Sequence, residues 1–357
     1  RPPRSTLFPY TTLFRSSLAG EILLRRNELA AAIARFNAAL AAQPGHVPTL
    51  VRVAAHYRSR AEYSEALRYD RLALAVVEDH PLALLGAAEA QLALARDEAP
   101  LEEALAGLAK VPAEAFPAAS RHRAVLVEAR LLAGLGRREA AVAELEQLRA
   151  LAAADDRLLA QLARAFLAAG APDRAVELFR VDAMSASTPL HVREAWAESL
   201  LALERWRAVT AVPTGAGERS LHLLKGIAWL QLGEREKARA ELRRTATRQA
   251  GKMPADAVVH LALADLQEGA VAKARRNLER LGTGSRARTT GRQAWAQLLV
   301  RDGELVEAER VLREAVALDR DAVEARCALG RLLLRRGDTA GARAALEEAV
   351  ARNPFHT

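Results

Sequence analysis

Three stretches of this 357-residue chain decide its fold: ALADLQEGAVAKA (262–274), AQLLVRDGELVEA (296–308) and GRLLLRRGDTAGA (330–342). Each opens on a small residue, has glycine seven residues on and alanine five after that, and each begins 34 residues after the one before. A 34-residue period of this kind is the pattern of stacked helix–turn–helix pairs, in which each pair buries its apolar face against the next. The spacing recurs upstream in Ala129/Gly136/Ala141, Ala163/Gly170/Ala175 and Gly226/Gly233/Ala238.

With the small residue as position 8, the glycine as 15 and the alanine as 20, the register covers the chain from Ser17 onward. Repeat 1 carries Gly20, Leu23, Asn27, Ala32, Phe36, Ala39 and Pro44 at positions 8, 11, 15, 20, 24, 27 and 32. Repeat 10 carries Gly330, Leu333, Gly337, Ala342, Leu346, Ala349 and Pro354. Small residues at 8 and 20 let two antiparallel helices approach closely. Glycine at 15, or Asn27, suits a turn that needs φ > 0. Bulky residues at 11 and 24 fill the space between helices, and proline at 32 ends the second helix.

This pattern resembles the tetratricopeptide repeat family. The resemblance implies an all-α, right-handed superhelical solenoid of about ten 34-residue repeats over residues 17–357. Three repeats are degenerate. Repeat 2 keeps Ala54, Tyr57, Ala66 and Ala73 but has Asp70 at position 24, which predicts looser packing or a local phase shift. Repeat 3 has Ala104 as its position 20 behind extra residues around Asp97–Pro100. Repeat 6 (Ala197, Leu200, Trp206, Val209) lacks the turn glycine and runs into a Pro/Gly loop, Pro213–Gly217.

Residues 1–16, RPPRSTLFPYTTLFRS, stand outside the register. They resemble the translation of a short-read sequencing adapter, hold Phe8, Tyr10 and Phe14 in a chain that is 4% aromatic, and have no acidic residue. We expect this head to be non-native and disordered, the source to be a metagenomic or poorly trimmed assembly, and the native N-terminus to be missing. The other end stops directly after a full repeat, where an array needs a polar capping helix; truncation is the expectation there too.

The chain is 51% apolar and 27% charged, ordinary for a folded domain. No apolar run approaches the ~18 residues of a membrane span. Arginine-rich, alanine- and leucine-rich composition fits a GC-rich bacterial genome. The net charge of +8 falls to +5 without the head's three arginines and is spread along the chain. Arg121/Arg123, Arg243/Arg244 and Arg286/Arg288/Arg292 are short clusters without interleaved aromatics, which argues against nucleic acid as the partner. The single cysteine, Cys327, precludes an internal disulfide.

No catalytic, metal or cofactor constellation emerges. The eight histidines are scattered without metal-ligand spacing. Gly282-Thr283-Gly284 lacks the lysine of a phosphate cradle and reads as a linker. Glu102/Glu103 and Glu347/Glu348 read as solvated helix faces.

In the family this chain resembles, positions 2, 5, 9, 12 and 13 of each first helix line the concave groove. Positions 5 and 9 read Leu126/Arg130, Ala160/Arg164, Glu194/Glu198, Leu223/Ile227, Val259/Leu263, Gln293/Gln297 and Cys327/Arg331 across repeats 4 to 10. Arg123 and Arg157 at position 2 join Arg130 and Arg164 in an expected basic ladder. Leu223, Ile227, Val259 and Leu263 form an expected apolar stretch. The implied function is a non-enzymatic scaffold whose groove takes an extended or helical peptide, acidic groups on the ladder and apolar anchors on repeats 7 and 8. The competing reading buries those apolar residues between helices. Groove asparagines that would grip a C-terminal carboxylate are absent from positions 5, 6 and 9 of the registered repeats, which argues against the chaperone-tail type of recognition. The alternative function is the repeat portion of a larger enzyme or of an envelope polysaccharide-export component.

Overall fold

A computed structural model describes residues 9–26, 28–95, 97–180, 184–246, 254–281, 289–318 and 322–352. Asn27, Pro354, Arg286, Arg288 and the Gly282–Gly284 linker lie outside them. The described residues form α-helices and no strand. The chain divides into two compact bodies, residues 1–147 and 148–357.

The first body holds four helix pairs: α1 (Pro9–Arg25) with α2 (Leu29–Ala42), α3 (Val47–Ser59) with α4 (Tyr63–Leu74), α5 (Pro81–Leu94) with α6 (Ala99–Ala109), and α7 (Ala118–Gly134) with α8 (Arg138–Glu146). The second opens with the single turn α9 (Arg149–Ala152). Six pairs follow: α10 (Asp156–Ala168) with α11 (Pro172–Glu177), α12 (Leu190–Ala202) with α13 (Trp206–Ala211), α14 (Arg219–Gln231) with α15 (Arg235–Arg244), α16 (Ala255–Gln267) with α17 (Val271–Glu279), α18 (Thr289–Asp302) with α19 (Leu305–Leu318), and α20 (Val323–Arg335) with α21 (Thr339–Arg352). Within each body the two helices of a pair pack together and each pair packs on the next, the layout of an α-solenoid.

The turn residue behaves as the register requires. The six glycines at position 15 have φ between 70° and 87°. In repeats 2 and 6, where glycine is missing, Ala61 and Glu204 occupy the same position at φ 58° and 55°. The turn geometry is therefore set by the stacking of the two helices, and glycine only removes its steric cost. Position 8 lies against the second helix of its own repeat. A Cβ added to Gly226 would lie 2.6 Å from Leu242 Cγ, and one on Gly330 2.7 Å from Leu346 Cγ. The small residue makes room first for the position-24 side chain of its own repeat, and then for the position-20 carbonyl, Ala238 O at 3.6 Å and Ala342 O at 3.3 Å.

Repeat 2 corrects the expectation of loose packing. Asp70 is fully buried and accepts a hydrogen bond from Arg58 Nη1 at 2.5 Å. Gly86 of the next repeat leaves the space, since a Cβ there would overlap the Arg58 guanidinium and lie 2.7 Å from Asp70 Oδ2. A buried ion pair thus replaces the usual leucine.

The expected head also differs in its second half. α1 starts at Pro9, so residues 9–16 are helical and continuous with repeat 1. Proline suits a first helical position, where no intrahelical donor is lost, and no glycine or proline interrupts residues 10–19. Ser16 and Ser17 are buried, and Ser17 Oγ accepts from Thr49 Oγ1 at 3.1 Å.

The core is a chain of small clusters. One joins Leu85, Leu101, Leu108, Val127 and Leu131. Another joins Val259, Leu266, Leu278 and Leu298, and a third Leu299, Leu312, Leu329 and Leu332. Each lies within neighbouring repeats, as repeat architecture dictates.

Candidate functional site

In the second body the first helices α10, α12, α14, α16, α18 and α20 are consecutive neighbours. Residues at equal register positions therefore line up from helix to helix, and positions 5, 9 and 13, one turn apart, share a face. Two contacts display the alignment. Arg164 on α10 grips Glu198 on α12 at the same position 9, with Nε–Oε2 2.7 Å and Nη2–Oε1 3.2 Å. Ser220 on α14 donates to Glu194 on α12.

The expected basic ladder is not a row of free arginines. Arg123 and Arg130 belong to the first body, Arg157 and Arg164 to the second. Arg123 forms a bidentate pair with Glu89, Nε to Oε1 at 2.5 Å. Glu89 also lies 3.3 Å from Arg58 Nε, so four charged groups (Asp70, Arg58, Glu89, Arg123) run through repeats 2 to 4. Arg164 is held by Glu198 and lies 3.7 Å from Glu194. The hydrogen bonds from Arg123 to Glu89 and from Arg164 to Glu198 hold both guanidinium pKa values above their ordinary range. Arg130 and Arg157 are exposed; the Arg157 backbone N–H donates to Asp155 Oδ1, the N-cap of α10.

The four residues of the expected apolar stretch differ in burial. Leu223 and Leu263 are half-buried, leaning on the clusters around Leu242 and Leu278, and Ile227 is half-buried on α14. Val259 is 1% exposed, packed with Ala294 and Leu298 of α18, and so is a core residue and no part of a groove. Leu126 and Ala160 at position 5 are buried as well. Gln293 and Gln297 on α18 are half-buried and Arg331 on α20 is exposed. Burial raises the thiol pKa of Cys327, which opposes thiolate formation and nucleophilic use.

Sequence reasoning missed the polar staples. Arg193 is 3% exposed and donates to Thr188 O (2.8 Å), Pro213 O (2.7 Å) and Glu218 Oε2 (2.7 Å), pinning the Pro/Gly loop of repeat 6. Arg239 reaches Asp265 at 2.7 Å and Glu268 at 2.6 Å across the junction of repeats 7 and 8. Arg58 and Asp70 had a readable signal, because opposite charges occupy positions 12 and 24 of one repeat where apolar residues belong. Arg301 and Arg335, both at position 13 and both exposed, were readable by carrying the groove register one turn further. Among the described residues no helix is long and apolar enough to cross a membrane.

The tetratricopeptide repeat profile matches residues 299–357. The same helix pair, the same left-handed turn and the same register recur upstream of that match, so the likeness to the tetratricopeptide repeat family extends beyond the matched residues. No curated protein matches it in sequence. Among solved structures it is similar to a monomeric IFIT1 mutant with Gppp-AAAA at 12% identity, covering 92% of this chain and 79% of that one with a TM-score of 0.47. It is similar to the tetratricopeptide domain of P58(IPK) at 17% identity, covering 95% and 92%, TM-score 0.30. MamA from Desulfovibrio magneticus RS-1 follows at 16%, covering 55% and 93%, TM-score 0.29. Likenesses at this level carry no argument about function.

Proposed function

We propose that this protein is a non-enzymatic interaction scaffold that holds a peptide of a partner protein against the first helices of its second body. Repeats of this architecture present extended binding surfaces built from successive first helices. The reading rests on one observation: Leu223, Ile227 and Leu263 stay half-exposed at positions 5 and 9 of adjacent helices, where the flanking helices carry Glu, Gln and Arg. Apolar anchors within a polar rim are what a peptide groove needs.

The test is a random-peptide display selection on the full chain. Enriched peptides should lose binding to Leu223→Asp/Leu263→Asp while the far-ultraviolet circular dichroism stays unchanged. Both leucines touch core clusters, so Ile227→Glu, which belongs to none of them, serves as the second variant. Enrichment that survives all three substitutions overturns the reading.

A further inference from the structure

We propose that this surface takes its peptide in one polarity, apolar residues over α14 and α16 and a cluster of acidic residues over α18 and α20. The inference rests on the groove reading above and adds the chemistry and direction of the partner.

Arg301 stands at position 13 in the last turn of α18, and Arg331 and Arg335 stand at positions 9 and 13 of α20. All three are exposed, and among the described residues none meets a carboxylate. Their neighbours differ. Arg292 is paired with Glu314 at 2.9 Å, Arg326 lies 3.3 Å from Glu348, and Arg336 contacts Glu309. Glu314, Glu348 and Glu309 are thus committed elsewhere, and on this face three arginines outnumber the one exposed carboxylate of α20, Glu324 at position 2. At the other end of the surface Arg157 and Arg164 stand with two carboxylates, Glu194 and Glu198, so charge there is balanced. The face runs from charge-balanced through apolar to basic.

Adjacent packed helices lie about 10 Å apart. From α16 to α20 is two such steps, about 20 Å, which an extended peptide covers in roughly six residues at ~3.3 Å each. Arg331 and Arg335 are separated by about 6 Å along their helix, matching two or three consecutive acidic side chains. Opposite charge placed this way fixes register and direction more than it adds raw affinity.

The experiment is fluorescence anisotropy of labelled peptides on the full chain. The probe has two leucines three residues apart, a six-residue Ser/Gly spacer and Asp-Glu-Glu; one control replaces the acids with lysines, another reverses the order. The acidic probe should bind about tenfold tighter than either control. That advantage should vanish in Arg331→Glu/Arg335→Glu and in roughly 1 M salt, where screening acts within a few ångström. Equal binding of all three peptides overturns the polarity and leaves the groove reading standing. Failure of every peptide to bind overturns both. A single-stranded oligonucleotide that binds through Arg331 and Arg335 and ignores Leu223→Asp overturns the assignment to a peptide.

Discussion

Ala61 holds a backbone conformation that its side chain disfavours, at φ 58° in the turn where six other repeats use glycine. A left-handed non-glycine residue costs roughly 1–2 kcal/mol, partly offset by the greater chain entropy glycine loses on folding. Ala61→Gly should therefore raise stability by about 0.5–1 kcal/mol, and Gly303→Ala, at φ 86°, should lower it by about 1 kcal/mol, in urea unfolding. An unchanged midpoint for both would mean the turn strain is relieved by backbone movement. The glycine rule was legible because its cause is local sterics. Asp70 was legible only in part. Its pairing with Arg58 could be read within repeat 2, but its full burial also needs the missing Cβ of Gly86 in the following repeat. Val259 failed for a related reason: register placed it on the groove face, while packing of α18 closed over it.

Elements of the two bodies should answer acid in opposite directions. Burial pushes the Asp70 carboxyl up to about 7 against the pull of Arg58. Folding then favours its protonated form, so this group's stabilisation is complete below the unfolded carboxylate range and fades as pH rises towards 7. Burial pushes His260 on α16 down to about 4. Folding favours its neutral form, so stability falls as pH drops from about 6.5 towards 4. Between pH 7.5 and 5, protection against hydrogen exchange, taken relative to the intrinsic rate at each pH, should rise in α3–α5 and fall in α16, each by an amount on the order of 1–2 kcal/mol. Asp70→Asn and His260→Gln should each abolish only its own response. The element boundaries themselves were partly readable. First helices follow the apolar period closely, whereas α11 ends at Glu177 although Phe179 two residues on is still buried at position 24. There the Phe179 N–H bonds back three residues, to Val176 O, so the turn tightens while the packing position is kept.

Across the whole molecule, stability is distributed over junctions rather than gathered in one core. Leu278→Ala removes a fully buried side chain from the cluster of α16, α17 and α18 and should cost about 2–5 kcal/mol. Hydrogen exchange should quicken in those helices and their immediate neighbours, and stay unchanged in α10 and α11; a uniform loss of protection throughout the second body would contradict local coupling. The solenoid class was legible from sequence for the same reason that damage stays local: every repeat restates the same packing problem. The candidate site was legible only as a register, since which arginines remain unpaired depends on carboxylates supplied by other helices.

The succession of small clusters, each confined to neighbouring repeats, also sets how the protein bears a load. A pull along the chain is resisted by one junction at a time, because each row of leucines is released separately. A 34-residue repeat yields up to about 120 Å of slack when it lets go. Tension is then relieved in discrete, recoverable lengths, and a repeat that has opened can close again on a neighbour that never did.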